Sequence, residues 1–218
     1  PCGSKLCSFN CVYCWYGPTE RLTTDATEHL GDLAAAGRVL EAVENALRSQ
    51  EELESVLLSG NGEPTLHPEF PAIARGVAEL VEQLLPEARL VLLSNSSGLA
   101  RPGVRDALDG IELPVFKLDA GTRETFLSLN RPADGVRFEE IIDELSTLEG
   151  VTLQTLLLDG EPGNTSEREL DAYFELVRWI APAAVLLHTT ERPVGRSATH
   201  RVARERLHEI AHLGRERT

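Results

Sequence analysis

Three of the chain's four cysteines lie within eight residues near its start, in the stretch CSFNCVYC. Cys7, Cys11 and Cys14 therefore follow the spacing Cys-x3-Cys-x2-Cys. Cysteine thiolates bind zinc and iron–sulfur clusters, and three of them on one short loop can reach a single metal centre. Ferredoxin clusters take four cysteine ligands. Three ligands would leave one iron of a [4Fe–4S] cluster open to a substrate or cofactor, which indicates a reactive cluster.

Two simpler interpretations compete with a reactive cluster. Cys2 could be a fourth ligand, which would give a structural zinc site because such sites are usually four-coordinate. The cysteines could also be packing residues, since free cysteine is often buried. Ser8 and Asn10 make the loop polar, so packing explains it less well than metal binding does.

Composition and charge exclude several classes of protein. The chain has 218 residues, 42% of them hydrophobic, without a bilayer-spanning apolar run or a secretory signal, so no membrane association is expected. The net charge of −14 argues against broad binding of nucleic acid. The arginines of 192–217 alternate with glutamates, as on a solvated helix face. Cysteines without a secretion signal indicate a reducing compartment, here the cytoplasm.

Short apolar segments alternate with amphipathic helical patterns along the rest of the chain. The segments of strand length are 55–59, 89–94, 114–118, 151–158 and 183–188, and the helical patterns are 34–49, 70–85, 102–108, 137–148, 166–180 and 199–213. Near-continuous apolarity is typical of strands buried on both faces of a parallel sheet. This order predicts an α/β fold, closed or partly closed like a barrel, in a single domain over 1–218.

Polar residues and glycines follow the ends of the predicted strands. They are residues 60–63, Asn95 and Ser96, Asp119, and residues 188–190. Functional residues of parallel α/β folds gather at the carboxyl ends of the strands. We therefore expect these positions to form the site.

The cysteine motif, with Tyr13 before its last cysteine, resembles the signature of the radical S-adenosylmethionine (SAM) enzymes. LLSGNGEPTLHPEF at 57–70 resembles that family's glycine-and-glutamate motif after the second strand, and 92–96 and 118–120 resemble the ends of its third and fourth strands. Four later pieces resemble a subgroup akin to wyosine-type tRNA-modifying synthetases: LLLDG at 156–160, Asn164-Thr165, ERP at 191–193 and RERLHEIA at 204–211.

This resemblance implies a particular fold, a partial (β/α)6 barrel of parallel strands. The first strand of that barrel precedes the cysteine loop, but only six residues precede Cys7 here. The first strand is therefore expected to be short or missing. The chain also begins at Pro1 and contains no Met, and we expect a missing N-terminal segment.

The resemblance also implies an activity. The enzyme would reductively cleave SAM at a [4Fe–4S] cluster held by Cys7, Cys11 and Cys14, and would generate a 5′-deoxyadenosyl radical that abstracts hydrogen from a substrate. The implied cofactors are the cluster and SAM, and the implied partner is an electron donor such as flavodoxin or ferredoxin. A tRNA base, a small molecule and a peptide are all open as substrates. The alternative is a zinc-binding α/β protein without catalysis.

Family residues that contact the methionine end of SAM correspond here to Gly60, Gly62 and Glu63. Glycine lets a backbone approach a ligand closely, and a carboxylate pairs with an ammonium group. The simpler interpretation of SGNGEP is a turn that ends a strand. His67, a few residues later, is expected to be a turn residue.

Four further residues are expected to contact SAM by the same resemblance. Tyr13 would stack on the adenine, Asn95 and Asp119 would bind the ribose hydroxyls or the methionyl carboxylate, and His188 would lie near the adenine or the substrate. The alternatives are packing for Tyr13, a helix cap for Asn95 or Asp119, and a structural role for His188. Thr189 and Arg192, like His188, are expected to lie near the adenine or the substrate. The sequence does not decide whether the Lys117 side chain points into the barrel or out of it.

Overall fold

A computed structural model describes residues 4–191 and 199–218. The chain divides into two compact units. The first unit contains the described residues up to Ser8 together with Thr19–Phe116, and the second contains Phe9–Pro18 and Lys117–Thr218. The single domain predicted over 1–218 stays a prediction.

The first unit is built on parallel strands with two helices. Its strands are β1 (Leu6–Cys7), β2 (Arg21–Leu22), β3 (Ser55–Leu58), β4 (Arg89–Ser94) and β5 (Leu113–Lys117), and its helices are α1 (Ala36–Arg48) and α2 (Phe70–Leu84). Strand β1 pairs in parallel with β2, and β4 pairs in parallel with β3 on one side and β5 on the other. Short 3-10 helices cover Ala26–Asp32, Pro64–Leu66 and Asp106–Gly110.

The core of the first unit follows from its sequence periods. In β4, Leu90 and Leu92 point to the same face because side chains alternate along a strand, and both are buried. In α2, Ile73, Val77 and Val81 recur every four residues and form the buried stripe of an amphipathic helix.

The described residues of the second unit form three further strands and four helices. They are α3 (Arg123–Leu129), α4 (Phe138–Ser146), β6 (Thr152–Gly160), α5 (Glu167–Ile180), β7 (Ala184–Thr189), β8 (Thr199–Arg201) and α6 (Arg204–Arg217). Strand β6 pairs in parallel with β7 and antiparallel with β8. Helix α5 begins after Ser166, whose hydroxyl accepts the backbone N–H of Glu169 at 3.3 Å. This is the helix start that the sequence predicts.

Aromatic packing in the second unit anchors the cysteine loop. The Phe9 ring, two residues after Cys7, meets Phe126 of α3 edge to face at 5.3 Å between centroids. Phe126 in turn lies 5.2 Å from Phe138 of α4. Buried aromatic pairs of this kind add to the free energy gained from burial alone, so this stack ties the loop to both helices.

The predicted strands are found at their expected places to within two residues at each end, but two helical predictions are wrong in part. Residues 102–108 form turns leading into the 3-10 helix Asp106–Gly110, because glycine at 103 takes a positive φ of 74° that breaks a helix. Residues Thr199–Arg201 form β8 because they pair with β6, and the helix begins only at Arg204.

The prediction that all strands are buried on both faces is also wrong for β3 and β7. Leu57 of β3 is 55% exposed and Leu186 of β7 is 47% exposed. Within its unit, each of these strands pairs in parallel with one neighbour, so fewer side chains cover it than cover β4.

Candidate active site

From Phe9 onward the cysteine loop belongs to the second unit, where the segment that follows α3 holds it. The backbone N–H of Asn10 donates to the carbonyl of Asn130 at 2.9 Å, and that of Val12 donates to Leu129 at 2.9 Å. Phe9 forms an antiparallel bridge with Pro132. The loop therefore takes its shape from a stretch more than a hundred residues further along the chain.

Cys11 lies among polar side chains of the second unit. Its sulfur accepts a hydrogen bond from Asn130 Nδ2 at 3.5 Å. Burial of the thiol, and next the negative charge of Asp119, raise its pKa to about 11. Bringing this sulfur to the thiolate form requires positive charge nearby, which a metal centre supplies.

Tyr13 points at Asp119 and lies under Lys117. Its hydroxyl donates a short hydrogen bond to Asp119 Oδ2, and Lys117 Nζ lies 5.3 Å from the ring centroid. Lys117 Nζ is also 3.3 Å from Asp119 Oδ1. Burial, followed by the charge of Asp119, raises the pKa of Tyr13 well above its usual value. The structure thus shows that Lys117 turns toward Tyr13 and Asp119.

Asp119 is buried and its oxygens have several partners within the second unit. Oδ1 accepts the backbone N–H of Leu156 at 2.8 Å, and Oδ2 accepts Asn130 Nδ2 at 2.8 Å as well as the Tyr13 hydroxyl. Asp119 does not cap a helix, because Thr122 is the N-cap of α3. Its proposed contact with the ribose or the carboxylate of SAM stays a prediction.

Cys7 lies beside the end of β4 in the first unit. Asn95 Nδ2 lies 3.5 Å from Cys7 Sγ and donates to Ser8 Oγ at 2.9 Å. Asn95 Oδ1 accepts the backbone N–H of Ser97 at 3.0 Å, which closes a local turn rather than capping a helix. The side chain of Asn95 is therefore oriented toward the first cysteine.

Glu63 joins the ends of β3 and β4 inside the first unit. Its buried carboxylate accepts the backbone N–H of Asn95 at 2.6 Å, the hydroxyl of Ser94 at 2.8 Å, and both the N–H and the hydroxyl of Thr65 at 3.0 and 2.7 Å. Burial raises the pKa of Glu63, and these hydrogen bonds offset part of the rise. Glu63 also caps the 3-10 helix Pro64–Leu66.

The two glycines of the SGNGEP turn differ in what surrounds them. Gly62 has a φ of 136°, and a Cβ there would lie 1.7 Å from the carbonyl oxygen of Leu6. Glu63 N–H donates to the same carbonyl at 3.0 Å, so β1 approaches the chain where only glycine fits. At Gly60 a Cβ would meet nothing within 4 Å.

His188 and His67 have contrasting partners. His188 Nε2 is buried without a hydrogen-bond partner among the described residues, and burial, then the charge of Lys117, lower its pKa. His67 bridges two segments through both nitrogens, at 3.0 Å from the Ala34 carbonyl and from the Glu69 N–H. It is a turn residue, as expected. The Arg192 and Cys2 predictions lie outside the described residues.

The described residues contain neither a compact group of metal-binding side chains nor a membrane-spanning helix. Within residues 4–191 and 199–218, no three histidine, cysteine, aspartate or glutamate side chains are grouped closely enough to hold a metal ion. The ligand set of Cys7, Cys11 and Cys14 stays a prediction. No helix in the same residues is both long and apolar enough to cross a membrane.

Asn130 is the residue of this region that sequence reasoning missed. It is 2% exposed and contacts Cys11, Tyr13 and Asp119. It follows α3, a helix that the periodicity did not predict, and it lies at no predicted strand end. The turn sequence NRP, with proline after Arg131, is the one local signal that could have drawn attention to it.

Comparisons with known proteins agree with the motifs. The model of the "Radical SAM superfamily" matches residues 3–173. The "UPF0026 protein slr1464" of Synechocystis is 30% identical over 194 residues, covering 87% of this chain and 68% of that protein. A Brachyspira hyodysenteriae protein named "GTPase Obg" is 26% identical over 193 residues, but the chain spans only 27% of its length.

Solved structures with low sequence identity show the same fold. TYW1 with a lysine-pyruvate adduct bound gives a TM-score of 0.63 at 18% identity, covering 98% of this chain and 70% of that one. Streptococcus suis SuiB bound to S-adenosylmethionine gives 0.66 at 12% identity, covering 98% and 42%. The predicted fold class, an α/β partial barrel of parallel strands, is confirmed, and the matching family model confirms the resemblance to the radical SAM superfamily.

Proposed function

This chain belongs to the radical SAM superfamily, whose enzymes use a [4Fe–4S] cluster and SAM, and we propose that it reductively cleaves SAM to a 5′-deoxyadenosyl radical for hydrogen abstraction from a substrate. The observation that carries the proposal is the loop Cys7-x3-Cys11-x2-Cys14. Two of its sulfurs, those of Cys7 and Cys11, accept hydrogen bonds from buried asparagine amides.

The donor chemistry of the loop fits an iron–sulfur cluster. Three cysteine sulfurs stand on one short segment, and amide hydrogen bonds to cluster sulfurs are a common means of adjusting the cluster's potential. Cys7, Cys11 and Cys14 would hold the cluster, which would supply a low-potential electron to the SAM sulfonium. Cys2 would not be needed, in contrast to the zinc alternative.

Residues of the first unit would bind the methionine end of SAM. Gly60 leaves open space beside the chain, so a ligand can approach the backbone there. The Glu63 carboxylate would attract the ammonium group, and Gly62 would let β1 pass close to the turn. Asn95, turned toward Cys7, would orient that ligand.

Residues of the second unit would bind the nucleoside and keep water away. Tyr13 would stack on the adenine, with its hydroxyl held by Asp119. Asp119 would orient this group of side chains or bind the ribose. His188 would donate or accept a hydrogen bond through Nε2, whose lack of a partner among the described residues supports a ligand contact.

The remaining requirements of this activity concern partners and compartment. An electron donor such as flavodoxin or ferredoxin would supply the electron that each reductive cleavage of SAM consumes. A reducing cytoplasm suits the cysteine loop. The substrate is a tRNA base, a small molecule or a peptide. If the affinity for the substrate falls steeply as the salt concentration rises, the substrate is a polyanion such as tRNA.

The test is anaerobic reconstitution with iron and sulfide, followed by reduction with dithionite in the presence of SAM and measurement of 5′-deoxyadenosine. We expect four irons per chain and product formation, both lost in Cys11→Ala. Cys2→Ser is the matched control and should behave as the parent. Zinc binding without iron, lost in Cys2→Ser, would establish the structural zinc site instead. A cluster that leaves SAM intact would refute the cleavage activity.

A further inference from the structure

The side-chain amide of Asn130 lies among three acceptor atoms. Its Nδ2 is 3.5 Å from Cys11 Sγ, 2.8 Å from Asp119 Oδ2 and 3.2 Å from the Tyr13 hydroxyl oxygen. Its Oδ1 is buried and has no hydrogen-bond partner in the described part of the chain. One end of the amide is therefore crowded with partners while the other has none.

This orientation of the amide follows from electrostatics. Turning the group round would place Oδ1 against the Asp119 carboxylate and the Cys11 sulfur, which are both electron-rich. The N–H end must therefore face them. Burying an unpaired carbonyl oxygen is unfavourable. This orientation therefore costs free energy at Oδ1, while it directs the hydrogens of Nδ2 toward the acceptor atoms.

The backbone fixes Asn130 relative to the loop it contacts. Asn10 N–H donates to the Asn130 carbonyl, and Val12 N–H donates to Leu129, each at 2.9 Å. These bonds flank Cys11 on both sides. These backbone hydrogen bonds consequently hold Asn130 and Cys11 next to each other in one local arrangement.

We propose that Asn130 is the positioning residue that holds the Cys11 sulfur and raises the reduction potential of the cluster. Adding an electron increases the negative charge on the cluster sulfurs, and an N–H donor stabilises that charge. Asn130 also donates to Asp119, which reduces the repulsion of this carboxylate on Cys11. The inference rests on the proposed function, because it requires Cys11 to be a cluster ligand.

The effect of Asn130 on the reduction potential should act through Cys11, the cysteine that its amide contacts. Cys14 Sγ has no side-chain donor within the described residues, and the Cys14 backbone N–H donates to the Cys11 carbonyl at 3.1 Å. Cys7 has its own donor in Asn95. Removing Asn130 thus changes the environment of one sulfur and leaves the other two as they are.

The test compares cluster potentials in two variants and a control. Asn130→Ala removes the donor, and Asn130→Asp keeps the volume but replaces the donor with a carboxylate. Thr155→Val is the control, since it also removes a buried hydrogen bond of the second unit, that of Thr155 Oγ1 with the Tyr173 hydroxyl at 2.5 Å. All four proteins are reconstituted anaerobically, and the midpoint potential is measured by EPR-monitored titration with iron content and circular dichroism.

We expect more negative midpoint potentials in both Asn130 variants, with Asn130→Asp shifted at least as far as Asn130→Ala, and an unchanged potential in Thr155→Val. Loss of the cluster in both variants, with a parent-like circular dichroism spectrum, would also support the positioning of Cys11. Parent-like potentials in both variants would overturn the proposal. A parent protein that assembles no cluster would instead refute the proposed function itself.

A second measurement takes its decisive outcome from the parent protein, which does not depend on the folding of a variant. In the parent protein labelled with 15N-asparagine, pulsed EPR of the reduced cluster should detect a 15N coupling from a side-chain amide. The coupling should weaken in Asn130→Asp labelled in the same way. Absence of any asparagine coupling in the parent would overturn the contact on which the proposal rests.

Discussion

The Glu63 carboxylate accepts the backbone N–H of Asn95 at 2.6 Å, and this hydrogen bond joins the loops that follow β3 and β4. Ser94 and Thr65 supply the other donors to the same carboxylate. The glutamate of the SGNGEP turn is therefore a structural centre of the first unit as well as a proposed SAM ligand.

Replacement of Glu63 by alanine should strongly destabilise the protein. Four buried donor groups would lose their acceptor, and we expect the free energy of unfolding to fall by about 2–4 kcal/mol. Urea denaturation measures the change. Glu82→Ala on the exposed face of α2 is the control and should stay within about 0.5 kcal/mol of the parent. Equal stability of the two variants would contradict the role assigned to Glu63.

The two glycines of the turn should respond differently to alanine. Gly62→Ala places a methyl group against the Leu6 carbonyl at a positive φ, and we expect a loss of at least about 1–3 kcal/mol in unfolding free energy. Gly60→Ala meets no atom within 4 Å and should leave stability nearly unchanged. If SAM approaches Gly60, the second variant should nevertheless weaken SAM binding, which isothermal calorimetry would detect.

The ion pair of Lys117 and Asp119 should be strongly coupled, because both side chains are largely buried, at 17% and 1% exposure. Lys117→Met leaves a buried carboxylate without its cation and should cost about 3–5 kcal/mol of unfolding free energy. Adding Asp119→Asn should recover part of that loss. A thermodynamic cycle of the two single variants and the double variant measures the coupling, and strictly additive losses would count against the pair.

Stability should depend on the protonation of His188 at mildly acidic pH. Burial lowers the pKa of His188 in the folded protein, so the unfolded chain binds the proton more readily. Neutral His188 therefore makes its full contribution to the free energy of unfolding above the pKa that histidine has in the unfolded chain, about 6.5. That contribution is lost as the pH falls from this value toward the lower pKa of the folded protein.

The check is the urea midpoint at pH 7.5 and pH 5.5 for the parent, His188→Gln and His208→Gln. The fall in stability between the two pH values should be smaller in His188→Gln than in the parent. His208 is exposed on α6, so its variant should keep the parent's dependence. Identical pH dependences in all three proteins would show that His188 titrates normally.

The sequence predicted the larger elements because their signals are local. Apolar runs such as 89–94 and the stripe of α2 depend on periods of two to four residues, and a cap such as Ser166 acts on its immediate neighbours. The short helix α3 and the strand β8 were missed, since seven and three residues carry too weak a periodic pattern. Strand β8 in particular depends on its pairing with β6.

The amino-acid sequence by itself determined the cysteine spacing, the glycine-and-glutamate turn and the alternation of strands and helices, and hence the family. Only the tertiary structure decided that Asn130 meets Cys11, 119 positions away along the chain, and that Lys117 turns toward Asp119 and Tyr13. It also showed that Glu63 ties two strand ends together. These contacts join distant residues, and their geometry depends on how the whole unit packs rather than on any local pattern.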